Sequence, residues 1–289
     1  MKPLALSIAI VASWTSIALA EPSVRVEPRT VRPGDPVLVV VSDVNRAPVA
    51  TVGGKELDFF RTRRGYQAVF AVPIEDAPDT IRIRVRGVED AVEVDVDDRT
   101  FPETEVVVED ELANPPAAER ERVDADNKAM IAALNDSKGA PQFTRTFVRP
   151  KGGVTSPFGE WRTFNDGHRS QHLGLDVFAK TGAKVHAINR GTVTFVGDTY
   201  LGGNVVVITH GAGIASAYMH LSETSVAVGD VIDRGTVLGK AGETGRATGP
   251  HLHVAVRVHG GFVDPERFFK LKLGPVQPER REAAARRRR

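Results

Sequence analysis

Asn204-Val205-Val206-Val207-Ile208-Thr209-His210 and Ala215-Ser216-Ala217-Tyr218-Met219-His220-Leu221, parted by a turn holding Gly211 and Gly213, decide the fold class of this chain. Each run is too short for a typical helix, is rich in β-branched or aromatic residues, and ends on turn-forming glycine, which reads as strand. Outward from this pair, residues 184–188, 191–196, 231–238 and 252–258 repeat the signal, with glycine recurring between the runs. No long helical period interrupts them. The second half, from Phe143 onward, is therefore predicted to be a Gly-rich antiparallel sheet or a barrel-like fold.

The first half reads differently but is also β. Val24-Arg25-Val26 precedes the turn Arg32-Pro33-Gly34-Asp35-Pro36, and Val37 to Val41, Ala50-Thr51-Val52, Tyr66 to Val72, Ile81 to Val85 and Val92 to Val96 follow at regular intervals. Alternating runs with regular turns predict a small β-sandwich of Ig-like type. Asn114-Pro115-Pro116 breaks that pattern, and residues 117–134, rich in Ala, Glu, Arg and Lys, read as a helix. Either the helix is a polar link between domains or it docks on the second one through Met130, Ile131 and Leu134. Expected boundaries are 1–20 for a secretory signal, 21–110 for the sandwich module, 111–142 for the linker, 143–272 for the second domain and 273–289 for a basic, disordered tail.

Several function classes fall away on composition. A formal net charge of +1 over 289 residues gives no reason to expect nucleic acid as a partner. Lys2, the apolar stretch from Pro3 to Leu19 and the small-x-small site Ala18-Leu19-Ala20 read as a cleavable export signal. Its apolar run is well short of the roughly 20 residues of a spanning helix, so no stable membrane insertion is expected after cleavage, and the location is periplasmic or extracellular. The tail through Arg286 to Arg289 reads as a solvated arm or as a contact for anionic envelope polymers. With no cysteine in the chain, a metal must be held by imidazole and carboxylate.

All eight histidines lie beyond residue 167. On a strand, His251 and His253 of His251-Leu252-His253 share a face. Two such histidines can meet one metal, or one can bind while its neighbour acts on a bound water. His172-Leu173-Gly174-Leu175-Asp176 supplies a further imidazole and a carboxylate. Fully extended, His172 and Asp176 would stand about 13 Å apart, four steps of ~3.3 Å, too far for zinc bonds of about 2.0–2.2 Å. A shared metal therefore requires the chain to bend, and Gly174 permits it. His168, His186, His210 and His259 carry no such pattern.

Ser156-Pro157-Phe158-Gly159, His172-x-Gly174-x-Asp176, Tyr218-x-His220-Leu221, Gly249-Pro250-His251-Leu252-His253 and Asp264-Pro265 together resemble the lysostaphin-type, or LytM, peptidoglycan metalloendopeptidases. The resemblance spans residues 152–269. It implies Zn²⁺ held by His172, Asp176 and His253, with His220 and His251 as catalytic histidines. Gly174, Gly245 and Gly249 would shape the backbone around them. The implied function is a secreted zinc metalloendopeptidase hydrolysing the cross-links or bridges of bacterial peptidoglycan. The alternatives are a non-catalytic envelope module that binds wall or activates another hydrolase, and a metalloendopeptidase acting on Gly-rich proteins. By the same resemblance, the linker or the front domain is a candidate cover for the metal groove. Oligomeric state and the bond cut are open at this point.

Overall fold

The computed structural model describes residues 22–277 except Arg145 and Asp166. The expected export signal and the run of arginines lie outside the described residues.

The mostly β architecture expected is observed. In the front domain, Ser23–Glu27, Pro36–Ser42, Gly65–Ala71 and Phe60–Thr62 form one sheet. Thr30–Val31, Val92–Val96, Thr80–Val85, Ala50–Val52 and Lys55–Glu56 form a second. Alternate residues of each, among them Val37, Val39 and Val41 against Ile81, Ile83 and Val94, bury a common apolar layer. The two strand patterns differ for a physical reason. Thr80–Val85 alternates buried and exposed positions, because only one of its faces is covered. Pro36–Ser42 is buried on both faces. Its second face, Leu38 and Val40, joins Phe60 and Val69 in the core of the other domain.

That other domain is a ten-stranded sheet, antiparallel throughout. Its main path runs from Val154–Ser156 through Leu175–Phe178, His251–Val258, Ile214–Thr224, Gly203–Gly211 and Gly191–Thr199 to Val231–Ile232. Ile214–Thr224 is the hub, since it also pairs with Val237–Ala241, so the sheet branches. A separate three-stranded sheet joins Glu103–Val106, in parallel, to Trp161–Phe164 and then Arg169–Gln171. Residues 103–106, expected with the sandwich, thus pair with the second domain.

Helix Ala117–Asn135 docks rather than spans a gap. Met130, Ile131 and the buried Leu134 lie on Val205, Val207, Ala215, Ala217 and Ala255 of the sheet. The small alanines let the helix approach, and burying a side chain such as Leu134 contributes roughly 1.5–3 kcal/mol. Of the disordered tail expected from residue 273, residues 273–277 pack on the protein, and the rest lies outside the described residues. Leu273 is buried, the Gly274 amide donates to Gln67 Oε1 at 2.8 Å, and Val276 bridges to Thr62. Leu273 and Val276 supply the apolar reason, since both pack into the core shared with the front domain.

Three further contacts fix the domains to one another. Phe60, Phe143, Phe147 and Phe268 pack in sequence with centroid separations of 5.1, 5.2 and 4.9 Å. Arg267 donates to the buried Asp35 at 2.8 Å, and Arg99 donates to Asp264 at 2.7 Å. Asp264 also caps helix Pro265–Phe268, accepting from the amides of Glu266 and Arg267.

Candidate metal centre

Register places the donors before any side chain is considered. Asp176 and His253 are direct cross-strand partners, and Phe178 pairs with His251. Opposed residues project to the same face, and so do i and i+2 on one strand. Asp176, His251 and His253 therefore share a face. His172 comes from outside the strand. The chain bends at Gly174, between Arg169–Gln171 and Leu175–Phe178, and His172 Nε2 reaches Asp176 Oδ1 at 3.1 Å. Gly174 lacks a positive φ. Its value is space, since a Cβ there would overlap His253 Nε2.

His220 reaches the same face through a bulge. Asn204 pairs with Leu221 and Val206 with Tyr218, so Val205 alone spans Met219 and His220. Without the extra residue, His220 would follow Ser216 and Tyr218 into the core. His220 holds φ +61°, which is uncommon outside glycine. Its amide donates to Gly202 O at 2.8 Å, and its Nδ1 donates to Thr244 O at 2.8 Å. Next along that loop, Gly245 (φ +71°) packs so closely on Gly203 that a Cβ would strike its amide.

His172 Nε2, His253 Nδ1 and one oxygen of Asp176 lie within 4.8 Å of one another, and all three residues are buried. Among the described residues this is the one group of three such side chains so disposed. His253 Nδ1 is 2.9 Å from both Asp176 Oδ1 and His172 Nε2. The ring tautomers follow from the backbone. His172 Nδ1 donates to Pro157 O and His251 Nδ1 to Gly249 O, each at 2.8 Å. With His220 that makes three imidazoles whose Nδ1 protons are held by carbonyls, leaving each Nε2 with a lone pair. His251 Nε2 is buried, lacks a hydrogen-bond partner and stands 3.6 Å from Asp176 Oδ1. Two imidazoles and a carboxylate with an orphaned fourth nitrogen beside them suit a cation such as zinc.

Electrostatics agree with that fit. Burial opposes ionisation of Asp176, but the His172 and His253 imidazoles packed against it outweigh burial and hold the carboxyl far below its usual range. Burial lowers His253 to about 4 and, with the neighbouring imidazoles, His220 to about 3, so both rings are neutral and free to bind or accept a proton.

Two arginines escaped sequence reasoning. Arg162 donates to Asp176 Oδ2 at 2.6 Å, to Ser156 Oγ at 2.7 Å and to Glu160 Oε2 at 3.2 Å. Ser156 also donates to Glu160, and Thr104 donates to its other oxygen at 2.9 Å. Burial opposes ionisation of Glu160, yet these donors lower its pKa. Arg246 stacks on Phe164 with its guanidinium carbon 4.2 Å from the ring centroid. A lone arginine carries no spacing signal. The Ser156-Pro157-Phe158-Gly159 motif nonetheless marked the start of the Arg162 network.

Two cavities open on the donors, of about 430 and 350 Å³. Asp176 and His251 line the first, together with residues 104–108; His172, His220 and His253 line the second, together with Met130 and Ile131 of the docked helix. His168, His186, His210 and His259 lie apart from this group. His210 is in the core, donating from Nδ1 to Arg190 O at 2.8 Å with Ser216 Oγ on its other nitrogen at 2.9 Å.

The sequence model of Peptidase family M23 matches residues 170–265, which include all five residues of this centre. Over 120 residues the chain is 42% identical to the DD-carboxypeptidase/endopeptidase Mpg of Neisseria meningitidis serogroup B, covering 39% of this chain and 26% of that protein. Over 89 residues it is 39% identical to the peptidoglycan DD-endopeptidase ShyA of Vibrio cholerae, covering 31% of this chain and 21% of that protein. The match thus spans about a quarter or less of these curated relatives. A Pseudomonas aeruginosa crystal structure assigned to peptidase M23 superposes with a TM-score of 0.61 at 27% identity, over 82% of this chain and 94% of that one. The likeness therefore extends beyond residues 170–265 into the preceding segments.

Proposed function

From the premise that residues 170–265 form a peptidase family M23 domain, we propose that the chain is a zinc-dependent metalloendopeptidase that hydrolyses peptide cross-links or bridges of bacterial peptidoglycan. The observation that carries this reading is the convergence of His172 Nε2, Asp176 Oδ1 and His253 Nδ1, with His251 Nε2 orphaned beside them. The name of ShyA, a peptidoglycan DD-endopeptidase, supports the substrate class, and that of Mpg supports endopeptidase activity. Zinc, when bound, acidifies water and polarises a carbonyl.

The chain's own groups complete the chemistry. Asp176 gives Oδ1 to the centre while Arg162 grips Oδ2, so the carboxylate cannot swing away. His220 and His251 stand with ring centroids 4.8 Å apart, each with Nδ1 pinned and Nε2 free. An unprotonated Nε2 at the cavity wall can accept a proton from attacking water and return it to the departing amine. Burial favours the neutral form of His220 that this role needs.

Export to the envelope belongs to the same reading. No described helix is long and apolar enough to cross a membrane, and peptidoglycan lies outside the inner membrane. Zinc content measured beside digestion of purified wall tests the proposal. His172→Ala and Asp176→Ala are expected to lose both; His251→Ala is expected to lose digestion and keep most of the zinc. Full digestion by metal-free protein would contradict it. A wall-binding module would keep zinc without digestion, and a protease of Gly-rich proteins would cut such polypeptides in preference to wall.

A further inference from the structure

The two cavities at the metal centre share three lining residues, Arg162, Phe164 and Arg246. The first cavity also holds Asp176 and His251 and the second His172, His220 and His253, so a peptide occupying both meets these three shared residues. The two guanidinium groups among them are in different states. Arg162 is fully engaged by Asp176, Glu160 and Ser156. Arg246 is half-buried on Phe164, its backbone amide is tied to Leu201 O at 2.8 Å, and its guanidinium forms no ion pair among the described residues. The arginines nearby are matched: Arg169 with Glu103, and Arg122 with Asp126 and Asp198. The acidic residues lining the cavities are Glu105, Glu160, Asp126 and Asp176, and none pairs with Arg246.

A half-buried guanidinium with no anion among the described residues is costly to hold. Burial, then the nearby Arg162 charge, lower its pKa to about 10, which still leaves it charged at neutral pH. The Phe164 ring beneath restrains the guanidinium, whose planar fork can take a carboxylate bidentately.

We propose that Arg246 is a specificity-determining residue that binds a free carboxylate on the substrate residue beside the scissile bond. This rests on the hydrolase reading above and narrows its substrate. In a bridge of glycines every internal carboxyl is consumed in an amide, so no carboxylate is on offer. In a cross-link made through a diaminodicarboxylic acid such as diaminopimelate, the carbon bearing the leaving amine also bears a free carboxylate, whereas in one made through lysine it bears none. Arg246 therefore selects the diaminodicarboxylic-acid cross-link and disfavours lysine cross-links and glycine bridges.

Binding of the acceptor-side product tests this without turnover. The probe is L-alanyl-D-glutamyl-meso-diaminopimelate, with the carboxyl on its free-amine centre either left free or converted to the carboxamide. Calorimetry on the zinc-loaded full chain is expected to give at least tenfold tighter binding of the acid. Arg246→Gln should bring the two affinities within about twofold, and Arg246→Lys should fall between. Equal affinities in the unsubstituted protein, or no binding of either probe, overturn the inference whatever the variants do. Retained preference in Arg246→Gln also overturns it. A preference for the acid in a protein that fails to digest wall would sustain the inference and sink the hydrolytic reading, so the two failures are distinguishable.

Discussion

Strand Ile214–Thr224 turns Ile214, Ser216 and Tyr218 to one face of the ten-stranded sheet and Ala215, Ala217 and Met219 to the other. The first face is a closed core. Tyr218 is sealed from water, its hydroxyl accepts from the Ile188 amide and the Ser216 hydroxyl, and burial raises its pKa to about 12. Front-domain residues Leu38, Val40 and Phe60 complete this layer. The second face is only half covered. Helix Ala117–Asn135 takes the alanine-rich end, and the remainder carries His172, Asp176, His220, His251 and His253. Each face has a buried histidine nitrogen, but the environments differ. His210 has both ring nitrogens partnered, whereas His251 keeps an orphaned nitrogen at the cavity. Burial makes a histidine neutral; an unsatisfied lone pair facing a cavity makes it available for chemistry.

The sharpest break of that comparison uses His251. His251→Ala should reduce wall digestion by about 10²–10⁴-fold, the usual worth of a general acid–base group, while the melting temperature stays nearly unchanged. A large loss of stability would mean that the groove face is core after all. On the closed face, Phe143→Ala should cost about 3–5 kcal/mol with metal affinity unchanged in the folded fraction. Because Phe143 touches Phe60 of the front domain at 5.1 Å and Phe147 at 5.2 Å, one calorimetric transition is expected for both domains. Two transitions, only one of them shifted, would show that the faces are not joined through this core.

The histidines were legible because strand alternation and motif order both constrain them. His251 and His253 share a face by the period of a strand alone, and the bend at Gly174 follows from the reach of a zinc bond. The bulge at Met219-His220 was not legible, since register slips depend on the partner strand and leave no composition behind. The shared core was written in the continuous run Val37 to Val41, which differs from the alternating Thr80–Val85, but a run covered on two faces does not name its second cover. Residues 273–277 read as tail because basic residues dominate the chain beyond them, yet Leu273 and Val276 find apolar partners in the front domain. Arg162 and Arg246 carry no spacing signal of their own, although the Ser156 motif marks where the Arg162 network begins. The fold gives Arg162 carboxylate partners and, among the described residues, gives Arg246 none.

The closed face has a pH signature through His210 that His220 and His253 share in direction on the groove side, so a substitution is needed to separate it. Burial lowers His210 from 6.5 to about 4, so between those values the unfolded chain binds a proton that the native state refuses. Stability is therefore fully present above pH 6.5 and is lost as pH falls toward 4. Between about pH 7 and pH 5 the loss from this residue is about 2 kcal/mol. Urea unfolding at the two pH values, compared with His210→Gln, isolates it. An equal slope in both proteins would remove His210 from the account.

The smallest expected effect sharpens the groove side. Arg162 is a positioning residue: it holds Asp176 Oδ2 at 2.6 Å while Oδ1 faces His172 and His253. Arg162→Gln should weaken zinc affinity by about 10–100-fold, the usual cost of losing a partner of a metal ligand, measured by competition with a chelating dye. Glu160→Gln should do less, because Arg162 keeps its contacts to Asp176 and Ser156. If Glu160→Gln equals Arg162→Gln, then the whole buried network, and not the grip on Asp176, sets the affinity. If neither variant moves it, His172, His253 and Asp176 position themselves unaided, and the half-covered face needs no support beyond its strands.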